Sequence, residues 1–241
     1  FITPKEELLL VSDMGFSRYS PDTGIIDKLE QLSATIDSRD TVRFIKGVRP
    51  NTTLISVYGQ LWEMNDSDTQ VSLIHATPLQ QLKSKIYPSD VLVDANNIMW
   101  ITYPGFGLVG IDAVTYEKKF FYNKQNLLPN NSIFDMQQDT KGNIWLGSNS
   151  GLIKFSTQTH HIQKFDQRQG LANSEFNSDT SVTLLDGRMV YGSPKGLIFF
   201  DPLKIDVQEI NETKVAITDV MLVSNDLVIP FSNLDKQTIE L

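Results

Sequence analysis

Apolar residues along this chain arrive in runs of four to seven, broken by Asp, Gly, Asn and Pro, and stripes at helical spacing are scarce. Short period-two alternation bounded by turn residues reads as strand, so an all-β fold is predicted and helix bundles and α/β folds are set aside. The clearest stretch gives four strands: Ile133 to Gln138, Ile144 to Gly147, Gly151 to Phe155, and an outer one from His161 to Phe165. Between the first two, Asp139 to Asn143 forms a tight turn, because Asp can bond its own backbone and Gly142 can adopt positive φ.

That stretch recurs. Gly142, Trp145, Gly147, Gly151 and Phe155 return 45 residues later as Gly187, Val190, Gly192, Gly196 and Phe200. Trp100 precedes Trp145 by 45, whereas Gly107 precedes Gly151 by 44, so one residue is gained in the loop 103–106. Two fainter copies, around Leu54 to Met64 and Leu8 to Tyr19, keep the apolar spacing but lack the Asp/Gly/Trp signature. With Gly15, Gln60, Gly107, Gly151 and Gly196 as anchors, the spacings are 45, 47, 44 and 45. Four strands in about 45 residues are the arithmetic of a β-propeller, a radial array of blades each packed on the next. Blade cores are expected near residues 8–35, 41–80, 86–125, 131–166 and 176–205, with 206–241 a linker and the start of another module. The offset from Ile133 to Gly151, applied to Gly15, puts the first inner strand ahead of Phe1. Residues 237–241 end in an unfinished strand, so a fragment of a larger propeller is expected, with a five-bladed closed ring as the alternative.

Composition narrows the partners. The 241 residues carry 21 Lys+Arg against 29 Asp+Glu, a net charge of −8. Such a surface repels phosphate backbones, and nucleic acid is not expected as a partner. No run reaches the roughly 18–20 apolar residues of a transmembrane helix. The absence of Cys removes disulfide scaffolds, zinc ribbons and thiol catalysis, and is compatible with an oxidising compartment.

Catalytic chemistry is hard to assemble from these residues. The three histidines, His75, His160 and His161, include an adjacent pair that would point to opposite faces of a strand, so no His-based metal or catalytic site is expected. There is no nucleophile elbow, P-loop or dinucleotide fingerprint. The Asp139/Gly142 and Asp186/Gly187 turns lack the alternating ligands and closing Glu of a calcium loop. Trp100 and Trp145 could stack on a sugar, but their periodic placement favours blade packing, a structural role they share with Asp139, Gly142, Gly147, Gly151, Gly187, Gly192 and Gly196. The expanded loop holding Tyr103 and Phe106, together with Tyr58 and Arg168, is the candidate ligand-binding rim. No metal and no cofactor is expected.

The pattern Asp-x-x-Gly-x-Ile-Trp-x-Gly-Ser-x-x-Gly-Leu from Asp139 to Leu152, followed by Gly170-Leu171-Ala172-Asn173-Ser174, resembles the two-component regulator propeller repeat. Residues 127–132 repeat that last element one blade earlier. The tail from Ala216 through the Ser224-Asn225-Asp226 turn to Pro230 resembles the opening of the immunoglobulin-like Y_Y_Y module that typically follows the last blade. The resemblance implies seven blades per ring and a periplasmic sensory region of a bacterial receptor. A downstream transmembrane helix in the inner membrane and a histidine kinase or diguanylate cyclase output are implied with it. It implies further a homodimeric receptor that responds to an unidentified small molecule, such as a saccharide, or to a protein. A propeller enzyme of lyase or quinoprotein type and a purely protein-binding scaffold are the alternatives.

Overall fold

One turn recurs through the whole chain and sets its frame. The computed structural model describes residues 1–3, 5–40, 42–46, 49–57, 60–67, 69–76, 87–205, 221–224 and 227–230. Glu6, Asn51, Asn97, Gly142 and Gly187 all take left-handed φ, between 56° and 85°. Each stands just before a strand, the first of the three-stranded opening sheet and the second of each later sheet, at spacings of 45, 46, 45 and 45. The backbone hydrogen bonds agree: Gly142 N–H donates to Asp139 and Asn97 to Asp94, while Gly187 donates to Leu184 and Glu6 to Thr3. The N-terminal copies have therefore lost the Gly but kept the turn. In the fifth copy Leu184 occupies the position of Asp139.

Five antiparallel sheets follow in chain order, built from adjacent hairpins. The first has β1 (Leu8–Ser12), β2 (Gly15–Ser20) and β3 (Ile25–Lys28). A six-residue helix, α1 (Glu30–Thr35), which the sequence pattern did not announce, leads to the second sheet and buries Leu32. That sheet comprises β4 (Val42–Lys46), β5 (Thr52–Val57), β6 (Gln60–Asn65) and β7 (Val71–Ala76). The third has β8 (Asp90–Val93), β9 (Ile98–Tyr103), β10 (Gly107–Asp112) and β11 (Lys118–Tyr122). The fourth has β12 (Ile133–Gln138), β13 (Asn143–Ser148), β14 (Gly151–Ser156) and β15 (Ile162–Phe165). The fifth shows β16 (Ser181–Thr183), β17 (Met189–Ser193) and β18 (Gly196–Phe200). Gly15 opens the second strand of the three-stranded first sheet, and each of the other anchor residues opens the third strand of its sheet. Gly151 illustrates why Gly is favoured there: at φ 131° its Cβ would lie 2.3 Å from the Phe165 carbonyl oxygen.

This is an all-β propeller architecture, and the cores lie between blades rather than within them. Leu9, Phe16, Ile55 and Met64 join the first two sheets, and Leu54, Met99, Ile101 and Val109 the second and third. Trp100, Ile133, Leu146 and Phe155 join the third and fourth. The second strands of the middle blades, β5, β9 and β13, are consequently buried along nearly their whole length. Trp100 and Trp145 occupy these second strands, both completely buried. The end blades differ: Leu10, Val11 and Met14 in the first and Leu197 and Phe199 in the fifth are exposed.

Asp and Trp act as one unit. The Trp145 indole N–H donates to Asp139 Oδ2 at 3.0 Å, and Trp100 to Asp94 Oδ2 at 2.9 Å. The other oxygen of each Asp takes the two turn amides. In the fifth copy both partners change together, to Leu184 and Val190. Replacing both ends of a buried hydrogen bond by apolar groups is close to neutral, whereas replacing one end is not.

A second left-handed position lies in the turn before the last strand of each of the first four sheets. Gly24, Thr69, Tyr116 and His160 hold it, with φ of 69°, 59°, 60° and 59°. His160 thus sits in a turn ahead of β15 and not on a strand beside His161, which corrects the expected arrangement. Its ring packs edge-on against Phe120 at 4.7 Å, within a cluster that includes Trp100 and Tyr122 of the preceding blade. Its Nδ1 pairs with the Tyr122 hydroxyl.

Residues 205–241 form a separate compact unit. Within it β19 (Met221–Ser224) and β20 (Leu227–Pro230) pair antiparallel, and of the expected turn Ser224-Asn225-Asp226 the last two residues lie outside the described residues. The rest of the expected Y_Y_Y segment lies outside the described residues.

Candidate functional site

Two groups of residues compete for a functional role: the loops between second and third strands, and the polar side chains of the inner strands. The loops hydrogen-bond to the connections that join successive sheets. Gly105 N–H donates to the Asn131 carbonyl at 3.0 Å, and Phe176 N–H to that of Ser148 at 3.1 Å. The connection after β15 winds into a short 3-10 helix, Gln167–Gln169, with a capping box made by Asp166 and Gln169.

The sequence-predicted rim residues separate in this frame. Tyr103 is 1% exposed, inside the apolar layer between the second and third sheets. Burial pushes its phenol well above the usual tyrosine range. Phe106 packs on the same layer, half-buried. Arg168 projects into solvent from the connection between the fourth and fifth sheets. Tyr58 lies outside the described residues. The structure therefore brings Tyr103 and Phe106 together in a core layer and leaves Arg168 apart from them. Tyr103 is buried in the same cluster as Ile101 and Val109 rather than exposed on a rim.

The inner strands carry what residue-type reasoning missed. Asp90 on β8 accepts the Met136 N–H of the next blade at 2.7 Å. Asp135 on β12, 3% exposed, accepts the Asp179 and Thr180 N–H groups of the blade after that, at 2.7 and 2.9 Å. Arg43 on β4 forms an ion pair with Asp179, joining the second sheet to the fifth. Burial raises the Asp90 carboxyl to about 7 against the pull of the Met136 and Val91 amides, with the nearby Asp135 charge adding to the rise and Arg43 opposing it. Burial likewise raises Asp135. The available signal was the period itself, since Asp90 and Asp135 are 45 residues apart.

Converging carboxylates with a raised pKa are the arrangement expected of a general acid or base. Here both oxygens of Asp135 and both of Asp90 are already occupied by backbone amides. They act as clamps between inner strands. Among the described residues no group of three or more His, Asp or Glu stands placed to hold a metal ion, and no helix is long and apolar enough to cross a membrane.

Comparison with known proteins agrees with this architecture. Residues 127–150 match the family described as two component regulator propeller. A curated relative, Histidine kinase P4 of Formosa agariphila, is 34% identical over 89 residues, 37% of this chain and 6% of that protein. The extracellular domain of BT4673 from B. thetaiotaomicron, assigned to a hybrid two component system, superposes with a TM-score of 0.62 at 20% identity, over 80% of this chain and 25% of that one. The extracellular domain of BT3049 from the same organism, likewise assigned to a hybrid two component system, gives 0.55 at 18% identity, over 97% of this chain and 38% of that one. The chain thus spans a small part of each.

Proposed function

From a chain built on the two component regulator propeller repeat, we propose a non-catalytic sensory region of a membrane-bound bacterial receptor, lying on the periplasmic side of the inner membrane. The match to a histidine kinase over 89 residues carries this reading. The fold shared with two extracellular domains supports it. The chain would receive a small molecule or a protein and pass the signal to a cytoplasmic histidine kinase or diguanylate cyclase. An immunoglobulin-like module beginning near residue 206 would relay it. In a homodimeric receptor, a ligand that prefers one packing of the two sensor chains shifts the population toward that packing, by no more than its difference in affinity for the two.

A catalytic reading draws on Asp90, whose carboxyl titrates near neutrality. Its hydrogen bonds to the next blade favour the structural role instead. The experiment is protease accessibility of the full-length receptor in spheroplasts. Digestion of this region by external protease is the expected result, and protection from it together with recovery in the cytosolic fraction would overturn the reading.

A further inference from the structure

Among the described residues, Glu63 is a buried carboxylate with one oxygen unpaired that also lines a cleft. Glu63 on β6 is 8% exposed. Its Oε2 accepts from Arg49 at 3.1 Å and from the Tyr116 hydroxyl at 3.3 Å. Its Oε1 is buried and has no hydrogen-bond partner. A buried carboxylate oxygen without a donor is costly to retain, and groups left so are functional-site candidates. Glu63 lines a cleft of about 340 Å³ whose walls include Arg49, Thr52, Asn65 and Ser72. That is the lower end of the ~300–1,000 Å³ range of small-molecule sites.

Arg49 is fixed from several sides. Its guanidinium lies 5.0 Å from the centre of the Tyr116 ring and donates to the Ala113 carbonyl at 2.8 Å as well as to Glu63. Two of its five N–H groups are thereby used, and others remain for a ligand. Tyr116 occupies the left-handed position of its turn, and this swings its ring back under Arg49 of the preceding blade.

The cleft therefore presents one anionic acceptor and one cationic donor a single hydrogen bond apart, with no net charge. An α-amino acid carries the complementary pair, an ammonium and a carboxylate on adjacent atoms. We propose that this cleft, lined by residues of the second blade, binds a free α-amino acid, its ammonium donating to the Glu63 carboxylate and its carboxylate accepting from Arg49. Both contacts are charge-assisted, the strong class of hydrogen bond. A neutral polyol could satisfy Glu63 but would leave the spare Arg49 donors without an anionic partner.

The site stands independently of the sensory reading, because binding is measured on the 241-residue chain itself whatever the receptor's location. Isothermal titration with glycine, L-alanine and L-glutamine tests it, with L-alaninamide, N-acetyl-L-alanine and myo-inositol as controls. Saturable binding of at least one free amino acid is expected. Blocking either the carboxylate or the ammonium, or substituting Glu63→Gln, should weaken binding about tenfold or more, a difference that titration resolves readily. Arg49→Gln provides a second variant should Glu63→Gln fail to fold, as judged by circular dichroism. The proposal is overturned if no free amino acid binds by about 10 mM, the weak end of measurable affinity. Equal binding of myo-inositol, or unchanged affinity in a folded Glu63→Gln chain, would overturn it too.

Discussion

The Asp139–Trp145 pair is the strongest test of how the blades are held. Asp139, 6% exposed, accepts from the Lys141 and Asn143 backbone amides, both at 2.9 Å, and from the buried Trp145 indole. Its Oδ2 also takes the Asn143 side-chain amide at 2.9 Å. Asp139→Leu, the residue class found at Leu184, strands the indole N–H and both turn amides. A buried donor left unpaired costs about 1–3 kcal/mol and the partly exposed amides less, so a loss of roughly 2–4 kcal/mol is expected. Trp145→Phe removes the N–H while retaining most of the ring. If the two residues form one unit, the double variant should be less destabilised than the sum of the single changes by about 1–2 kcal/mol. Urea denaturation followed by circular dichroism measures all four corners of the cycle. Additivity within about 0.5 kcal/mol would refute the idea that the pair is exchanged as a unit.

Asp90 has a folded-state pKa of about 7, raised from 3.8, so between those values the folded chain binds more protons than the unfolded one. Stability should therefore fall as pH rises from 4 to 7, by roughly 2–4 kcal/mol at 1.36 kcal/mol per unit, and Asp90→Asn should flatten most of that slope in urea melts at stepped pH. A steeper slope in the variant would contradict the assignment. His160 holds a left-handed backbone, so His160→Gly should be more stable than His160→Ala by about 1 kcal/mol, even though both lose the ring contacts. Equal thermal midpoints would argue against a left-handed position there. Tyr191 is buried with its hydroxyl 2.7 Å from the Trp145 carbonyl oxygen. Tyr191→Phe should cost about 1–2 kcal/mol with the circular dichroism spectrum unchanged.

The last three blades were legible because they keep residues whose chemistry is confined to a few types. A left-handed turn favours Gly, and a buried indole needs an acceptor, so Gly142 and Trp145 announce themselves. The first two blades were fainter for a physical reason. Thr3 and Leu9 in one, and Val48 and Leu54 in the other, stand at the positions of Asp139 and Trp145. The pair is lost as a whole, which is tolerated, and the left-handed residue is Glu6 or Asn51 instead of Gly. Asn is an ordinary substitute there, but Glu gives no sign in a sequence. The burial of Tyr103 was illegible for a different reason. A loop aromatic can fold inward or outward, and the position of Tyr103 in the strand register, opposite Gly107 at the hairpin end, does not decide which. The inner-strand clamps and the Glu63 cleft depend on contacts between neighbouring blades, which no single repeat contains.

The residue paired across the strands with the Trp position shows how one repeat can serve different ends. That partner is Arg18 opposite Leu9, Glu63 opposite Leu54, Gly110 opposite Trp100, Lys154 opposite Trp145, and Phe199 opposite Val190. Beside Trp100 even a Cβ on Gly110 would come within 2.8 Å of the ring. Beside Trp145 the long Lys154 is accommodated by lying over the ring face, 5.5 Å from its centre. Where Trp is replaced by the smaller Leu54, a carboxylate fits at the same position and reaches Arg49 and the Tyr116 of the next blade. Glu63 therefore exists because its blade gave up the indole. The residues that recur hold the blades together, and the position that varies most in charge and size is where one blade has room for a ligand.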